Sequence, residues 1–173
     1  RMVSQPKGSV HKDQIEASID YIAGNRNIED VLLSGGDPLT FTDERLDEIL
    51  GELRRRAPHV RFLRIGSRMV VQLPTRVTPE LCAVLEKHRV QMINIHINHP
   101  KEITPLMRQR VKMLQKAGLM MGLQTVCLKG VNDSVEVMRE LFMQAVEMGV
   151  RPYYVYSTDM VEGAHHFLVP HRR

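Results

Sequence analysis

The stretch that decides the fold of this chain is Val31-Leu32-Leu33-Ser34-Gly35-Gly36-Asp37-Pro38-Leu39. Its apolar start indicates the interior of a buried strand, and its two glycines let the backbone turn or approach a ligand closely. Pro38 has no N–H for further pairing, so the strand ends here and Asp37 follows its carboxyl end. Proteins of the α/β class place their binding sites at such ends. Taken alone, however, the stretch is more typical of a plain turn between a strand and a helix.

The chain has 173 residues, which suffices for one domain with a substantial core. This length is short of a complete eight-unit barrel, which takes about 250 residues. The sequence begins at Arg1 and ends in a basic Pro170-His171-Arg172-Arg173 tail, so we expect it to be an excerpt of a longer protein. We therefore predict a single, incomplete domain over residues 1–173.

The composition disfavours nucleic acid and membranes as partners. The net charge is +4 with scattered basic residues, and we interpret the cluster Arg54-Arg55-Arg56 as a solvated helix end. Aromatic residues make up 5% of the chain and none is Trp, which leaves little for stacking on bases. No apolar run has transmembrane length, and no signal peptide opens the chain. Cys82 and Cys127 lack Cys-x-x-Cys spacing and are interpreted as buried thiols, so we expect a cytoplasmic protein.

Predicted strands and helices alternate along the chain. The five predicted strands are residues 28–34, 60–65, 90–97, 119–128 and 150–156. No hairpin signal such as Asn-Gly joins adjacent strands, so we expect right-handed βαβ crossovers and a parallel sheet. Residues 69–77, with two prolines nearby, are predicted to form a long loop. The expected fold is α/β, either about two-thirds of a barrel or an open parallel sheet.

Polar or turn-forming residues follow every predicted strand. In chain order they are Ser34, Gly35, Gly36 and Asp37, then Ser67 and Arg68, then His96, Asn98 and His99, then Gln124 and Thr125, and finally Tyr156 and Asp159. The carboxyl ends of parallel strands share one face, so these groups converge although they are far apart in sequence. Burying a polar group in a strand costs free energy unless the group is paired within the protein or binds a ligand. The whole set therefore indicates a binding site.

Each of these residues also has a structural explanation. His96 is typical of a hydrogen-bonded core histidine, Gln124 of a satisfied buried amide, and Tyr156 of a core aromatic with its hydroxyl at the rim. Asp159 would suit the cap of a turn. The spacing His96-x-x-His99 invites a zinc site, but side chains at a strand end point differently and neither cysteine is near in sequence. No dinucleotide-binding, phosphate-loop or nucleophile-elbow motif occurs in the sequence.

Seven motifs occur in order along nearly the whole chain. They are Asp30 to Leu39, Arg64 to Arg68, Leu73 to Leu81, His96 to Thr104, Gln124 to Val126, Lys129 to Asp133 and Arg151 to Tyr154. In this order and spacing, they make the chain resemble the lysine 2,3-aminomutase family of radical S-adenosylmethionine enzymes. The resemblance implies a partial (β/α) barrel of the radical S-adenosylmethionine type.

The resemblance also implies a site for S-adenosylmethionine at the strand ends. In the family, a Ser-Gly-Gly-Asp turn holds the methionine end of this cofactor. The matching residues here are Ser34, Gly35, Gly36 and Asp37. An acid beside freed backbone groups suits an α-ammonium, and exposed N–H groups suit a carboxylate. His96 and Gln124 match residues that contact the same cofactor.

Two further residues acquire roles from the resemblance. Tyr156 matches a residue beside pyridoxal phosphate, and Asp159 matches an acid that holds the substrate's side-chain ammonium in lysine-specific members. A carboxylate opposite a buried ammonium is expected, because an unpaired charge there would be costly. The implied activity moves the 2-amino group of lysine, or of a lysine-like amino acid, to carbon 3. The implied cofactors are a 4Fe–4S cluster, S-adenosylmethionine and pyridoxal 5′-phosphate.

Two family features fall outside this sequence. The three-cysteine motif that holds the cluster is absent, and in relatives it lies before the position of Arg1. The lysine that binds pyridoxal phosphate lies, in relatives, beyond the position of Arg173. We therefore assign no metal ligand and no catalytic residue within the chain, and we expect the chain alone to be inactive. A parallel sheet with two open edges is also expected to associate.

Three alternatives stay open. Residues 158–167 resemble both the free-lysine mutases and the branch that makes β-lysine for modification of translation elongation factor P. A non-catalytic barrel remnant would keep the fold without a cluster. An ordinary barrel lyase or aldolase would need a Schiff-base lysine on a strand, and the lysines here fall at predicted helix or loop positions. We expect a small-molecule amino acid as the partner, and a homo-oligomer stays open.

Overall fold

The structure is a computed structural model that describes residues 12–158 and 162–170. Within these ranges the strands are β1 Asp30–Leu33, β2 Phe62–Ser67, β3 Met92–His96, β4 Met120–Cys127 and β5 Arg151–Ser157. The α-helices are α1 Lys12–Gly24, α2 Asp43–Arg56, α3 Met69–Gln72, α4 Pro79–Lys87, α5 Pro105–Lys116 and α6 Val135–Glu147. Short 3₁₀ turns are found at Pro38–Thr40, Pro74–Arg76, Pro100–Glu102 and His165–Phe167.

The strands form one sheet in the order β1-β2-β3-β4-β5, and every neighbouring pair is parallel. At least one helix separates each strand from the next. The prediction of about five parallel strands alternating with helices is therefore confirmed. Because the strands run the same way, their carboxyl ends meet at one edge of the sheet. We call this the carboxyl edge, formed by the residues that follow Leu33, Ser67, His96, Cys127 and Ser157.

Local signals in the sequence start the helices. Thr42 caps α2 by accepting a hydrogen bond from the Arg45 N–H at 3.3 Å. Thr78 and Thr104 cap α4 and α5 in the same way, each with a proline at the start of the helix. Across the described ranges, none of the helices combines the length and the apolar character that crossing a bilayer requires.

The core lies between the helices and one face of the sheet. Burial alternates along β2, where Leu63 and Ile65 are fully buried while Arg64 and Gly66 are partly exposed. Successive side chains of a strand point to opposite faces of the sheet. The buried side chains therefore pack against the helices, and the partly exposed ones lie on the face of the sheet away from the helices. The edge strand β5 differs from the central strands, because all seven of its residues are exposed.

Residues 69–77, predicted as a loop, contain α3 and the 3₁₀ turn Pro74–Arg76. Val70 on α3 is fully buried, so the segment packs on the core. Two N–H groups at the start of α3 donate to the carboxylate of Asp37, which follows a different strand. A helix of four residues is too short to show an apolar period, and a contact between two strand ends leaves no local pattern. The prediction was wrong for these reasons.

The cluster Arg54-Arg55-Arg56 forms the last turn of α2, as predicted, but only Arg55 is largely exposed to solvent. Arg54 donates three hydrogen bonds, to the carbonyl oxygens of Val60, His88 and Arg89. Arg56 pairs with Glu16 of α1 at 3.0 Å. The end of α2 is thus bound to α1 and to the segments before β2 and β3. These contacts join distant parts of the chain, so the sequence around the cluster could not reveal them.

Gly122 on β4 has no room for a side chain. A Cβ at this position would overlap Asn94 Oδ1 and approach Met92 Cε to 2.6 Å. Asn94 is 1% exposed, so its amide cannot move into solvent. We expect Gly122→Ala to lower the free energy of unfolding by about 1–3 kcal/mol, the usual cost of overpacking a core. Chemical denaturation measures the change.

The matched control is Gly24→Ala at the end of α1, where nothing lies within 4 Å of the added Cβ. This change should alter the free energy of unfolding by about 0.5 kcal/mol or less. Adding Asn94→Ala to Gly122→Ala should recover part of the loss, because it removes the overlapping oxygen. Wild-type stability of Gly122→Ala would contradict the packing described here.

Candidate functional site

A cavity of about 420 Å³ opens at the carboxyl edge. Its lining residues are Leu32, Ser34, Gly36, Asp37, Gly66, Ser67, Arg68, His96, Gln124 and Tyr156. Six of them are predicted site residues, drawn from the turn after β1 and from β3, β4 and β5. Gly35 belongs to the turn after β1 but not to the lining, and Asp159 lies outside the described residues. The structure thus brings together most of the predicted set.

Gly35 and Gly36 form the turn that follows β1. Their φ angles are +88° and +63°, in the left-handed region that L side chains rarely adopt. No heavy atom lies within 4 Å of a Cβ built at either position, so the need for glycine is conformational rather than steric. The turn leaves backbone beside the cavity that no side chain covers.

The carboxylate of Asp37 is occupied by hydrogen bonds from the protein. Oδ1 accepts from the Leu39 N–H at 3.0 Å and from Ser67 Oγ at 2.8 Å. Oδ2 accepts from the N–H groups of Arg68 and Met69 at 2.6 and 3.0 Å. Asp37 therefore joins the turn after β1 to the turn after β2. A direct role of this carboxylate at a ligand ammonium stays a prediction.

His96, Gln124 and Tyr156 form a hydrogen-bonded row across β3, β4 and β5. His96 Nε2 donates to Gln124 Oε1 at 2.5 Å, and Gln124 Nε2 donates to the Tyr156 hydroxyl oxygen at 3.4 Å. An amide accepts only through its oxygen, so His96 Nε2 carries a proton in this row, and Nδ1 takes no part in it. All three side chains line the cavity.

Arg68 lines the cavity, and 38% of its side chain is exposed. Its Nη2 pairs with Glu102 Oε1 at 3.0 Å, and Glu102 Oε2 accepts from the Asn98 N–H at 2.7 Å. Arg68 Nε is buried and has no hydrogen-bond partner among the described residues. The guanidinium is therefore anchored from one side only.

Asn98 and Asn132 bind the ends of β3 and β4 to each other. Asn132 is fully buried and donates to the carbonyl oxygens of Asn98 and Val126 at 2.7 and 2.8 Å. Its Oδ1 accepts from the Leu128 N–H at 2.7 Å. Asn98 Oδ1 accepts from the Val126 N–H at 3.0 Å. Asn98, which we predicted among the converging polar groups, therefore has a structural role.

The described residues do not fit an iron–sulfur cluster. Residues 12–158 and 162–170 contain no group of three or more His, Cys, Asp or Glu that could hold a metal ion. His99 instead accepts the Lys101 N–H through Nδ1 at 3.1 Å. Cys82 is buried, whereas Cys127 is only partly buried because it ends β4 beside the exposed strand β5. Burial raises the pKa of both thiols and so lowers the fraction of thiolate, the form that binds metals.

No family model matches the chain. L-lysine 2,3-aminomutase from Fusobacterium nucleatum is 46% identical over 170 residues, and that from Clostridium subterminale is 45% identical over 170 residues. The chain is related to the L-lysine 2,3-aminomutases. The predicted resemblance is thereby confirmed. Each alignment covers 98% of this chain, which spans only 40% and 41% of the length of these two relatives.

A relative named for a different activity is almost as similar in sequence. Glutamate 2,3-aminomutase from Clostridioides difficile is 41% identical over 167 residues, covering 96% of this chain and 39% of that protein. Overall identity to the aminomutases therefore does not by itself select lysine as the substrate.

A solved structure shares the fold. The structure of native anSMEcpe with bound AdoMet matches with a TM-score of 0.70 and covers 97% of this chain and 49% of that chain. The sequences are 10% identical, so this likeness bears on the fold alone. This shared fold agrees with the predicted α/β arrangement of parallel strands alternating with helices.

The lining also contains Leu32 and Gly66, which we did not predict, and Ser67 and Arg68, which we predicted among the converging polar residues but to which we gave no individual role. Ser67 and Arg68 carry a usable signal, because they are polar residues at the end of the second strand. Gly66 lines the cavity where a Cβ would come within 3.6 Å of Ser34 Oγ. Leu32 belongs to a continuous apolar run. Only the folded sheet shows which residues of that run face the core and which face the cavity.

We expect Asn132→Ala to lower the free energy of unfolding by about 2–4 kcal/mol, because three buried or partly buried backbone groups of Asn98, Val126 and Leu128 lose their partner. Its neighbour Asp133, an exposed residue whose Oδ1 accepts the Gly130 N–H at 2.9 Å, provides the control. Asp133→Ala should cost about 1 kcal/mol. Denaturant titration of both variants measures the difference, and equal losses would contradict the central role of Asn132.

Proposed function

We propose that the protein containing this chain is a radical S-adenosylmethionine aminomutase that moves the 2-amino group of an amino acid to carbon 3, with lysine as the favoured substrate. One observation carries the proposal. A single cavity gathers six residues predicted to bind cofactors, in a chain 46% identical to an L-lysine 2,3-aminomutase. The relatives extend far beyond the aligned region, so the activity is proposed for the whole protein.

The cavity has suitable groups for S-adenosylmethionine. Backbone groups of the left-handed turn at Gly35 and Gly36 suit the charged methionine end of this ligand. The row formed by His96, Gln124 and Tyr156 offers Nδ1 and a hydroxyl group for hydrogen bonds with uncharged polar groups. These contacts support a role in binding and orienting the cofactor.

S-adenosylmethionine, when reduced at a 4Fe–4S cluster, supplies a radical that takes a hydrogen atom from the substrate. The residues lining the cavity include neither cysteine nor lysine, so they fit neither cluster ligation nor covalent attachment of pyridoxal phosphate. We propose that parts of the protein outside the described residues hold the cluster and pyridoxal phosphate, with Tyr156 beside the latter. The described residues would then bind S-adenosylmethionine, orient it and exclude water.

Binding of S-adenosylmethionine to the full-length gene product tests the proposed role of the cavity. We expect wild type to bind it and Gln124→Leu to bind it about tenfold more weakly or worse, since the change removes the hydrogen bonds that hold His96 and Tyr156. Isothermal titration measures both affinities. Gln109→Leu on the exposed side of α5 is the matched control and should bind like wild type. Absence of binding by wild type would contradict the proposal.

A binding protein without catalysis is the second candidate function. Such a protein would use the polar lining of the cavity to bind its ligand without needing a cluster. Iron analysis of the full-length gene product and the formation of deoxyadenosine under reducing conditions distinguish the two candidates. Binding of S-adenosylmethionine by an iron-free protein that does not cleave it would select the binding protein.

The choice of lysine rests on Asp159, which matches the acid beside the substrate's side-chain ammonium in lysine-specific relatives. Asp159→Asn should lower kcat/KM for lysine by about tenfold or more, because it removes the charge opposite the ammonium. Reductive cleavage of S-adenosylmethionine should stay within about twofold. Product analysis with lysine and with glutamate measures the preference, and Glu162→Gln provides a nearby exposed control. Equal loss of both activities would contradict this role.

A further inference from the structure

The face of the sheet away from the helices, which we call the inner face, exposes apolar side chains outside the cavity. Phe62 at the start of β2 is 48% exposed, and Met120 at the start of β4 is 60% exposed. Met92 at the start of β3 lies between these two strands and is partly exposed. The described lining of the cavity includes none of the three. We call the surface formed by Phe62, Met92 and Met120 the amino half of the inner face.

The register of the strands places these three side chains on one face. Met92 is paired with Arg64 of β2 and with Met120 of β4, and paired residues of neighbouring strands point to the same face. Phe62, Arg64 and Gly66 alternate along β2, so they also share a face. Gly66 lines the cavity. The apolar surface therefore continues the wall of the cavity towards the amino ends of the strands.

The sheet curves around its inner face. Leu32 of β1 and Tyr156 of β5 line the same cavity, although three strands lie between β1 and β5. Neighbouring strands are about 4.8 Å apart, so a flat sheet would hold its two edge strands about 19 Å apart. Lining by both edges of the sheet therefore requires a concave inner face. A concave face accepts one inserted segment more readily than the broad convex surface of another globular protein.

Only one of the two faces of this parallel sheet is covered by the described residues. Helices cover the outer face, where Leu63 and Ile65 of β2 are fully buried. Parallel sheets occur almost only with both faces covered. Contiguous exposed apolar surface is unfavourable in water and marks an interaction site. The amino half of the inner face therefore fits an apolar partner.

A basic group lies beside this apolar surface. Arg151 begins β5 and is paired in register with Gly122, which follows Met120 by two residues on β4 and so shares its face. Arg151 is exposed and forms no ion pair with another described residue. Arg64, on the same face, is already bound by Asp30 at 2.8 and 2.7 Å. A partner that carries a carboxylate as well as apolar side chains would pair with Arg151.

The length of the relatives indicates where such a partner comes from. This chain spans only 40% and 41% of the length of the two lysine 2,3-aminomutases described above, so more than half of each lies outside the aligned region. We propose that the amino half of the inner face binds a segment of the whole protein from outside residues 1–173. That segment places apolar side chains against Phe62 and Met120 and a carboxylate at Arg151. The surface lies outside the cavity, so the inference does not depend on the proposed binding of S-adenosylmethionine.

A photoreactive side chain on this surface identifies the segment that covers it. The purified full-length gene product carrying Phe62→p-benzoylphenylalanine is irradiated and digested, and mass spectrometry identifies the attached peptide. We expect a peptide of the same polypeptide from outside residues 1–173. An equal mixture of unlabelled and isotope-labelled protein should join only like with like, because the contact lies within one molecule. The same probe at Tyr21 of α1, which is 67% exposed, is the control and should not give this peptide.

Thiol labelling of the full-length gene product measures how well the surface is covered. Met120→Cys is compared with Met143→Cys on α6, because Met143 is 47% exposed and Met120 is 60% exposed within this chain. Exposure within this chain alone predicts that the thiol at position 120 reacts slightly faster. We expect it instead to react with a maleimide about tenfold more slowly, since a covered site reacts only when the segment opens. Mass spectrometry of the labelled peptides separates these thiols from the other cysteines.

The same labelling tests the carboxylate. Arg151→Glu should make the thiol of Met120→Cys react up to about fivefold faster, because it replaces an ion pair with repulsion. Arg139→Glu, at an exposed position of α6, is the charge-matched control and should leave the rate unchanged. An unchanged rate in Arg151→Glu would overturn the assignment of a carboxylate to this position.

Three results would overturn the covering segment itself. Photoproducts that join labelled to unlabelled chains would assign the surface to contact between two copies. Attachment of the Phe62 probe only within residues 1–173, or no attached peptide, would exclude a segment from elsewhere in the protein. Equally fast labelling of Met120→Cys and Met143→Cys would show that the surface is open. Failure of wild type to bind S-adenosylmethionine would overturn the proposed function and leave this inference standing.

Discussion

The carboxylate of Asp37 links two turns that the rest of the cavity depends on. It accepts hydrogen bonds from its own turn and from the turn after β2, at distances between 2.6 and 3.0 Å. Charged acceptors make stronger hydrogen bonds than neutral ones, and four such bonds over two short segments leave little freedom to either segment. Gly36, Ser67 and Arg68, which line the cavity, are therefore held in place by a residue between them rather than by the core alone.

A second set of buried polar contacts performs the same task at β3 and β4. Asn132 binds backbone groups of both strand ends, and Asn98 accepts from Val126 while its own N–H is bound by Glu102. Loops usually have more freedom than the strands they follow, yet here the buried amide of Asn132 is fully paired with backbone groups. The cavity is consequently preformed, and a ligand that enters it has little protein ordering to overcome.

The sequence predicted more of the site than of the segments that support it. Ser34, Gly36, His96 and Gln124 were predicted as members of one face, because strand direction alone brings carboxyl ends together. Their hydrogen-bond partners were not predicted, since a bond such as that between Ser67 and Asp37 joins residues 30 positions apart. The sequence did not predict α3 for a similar reason, because the N–H groups at its start are bound by Asp37, which lies far back along the chain. Asp37 shows most clearly what sequence alone leaves open. An aspartate can pair with the ammonium of a ligand, or it can accept hydrogen bonds from backbone N–H groups of the protein.

By itself, the sequence of this chain determined the parallel order of strands and helices, the glycine turn after β1 and the resemblance to lysine 2,3-aminomutases. These depend on local periodicity, caps and motifs, which neighbouring residues express directly. Only the tertiary structure decided which polar groups face the cavity with free donors or acceptors. The reason is physical: a carboxylate or guanidinium is available to a ligand only to the extent that distant parts of the chain have not already bound it. Asp37 and Arg68 lie in the same lining, and their unequal engagement is visible only in the folded chain.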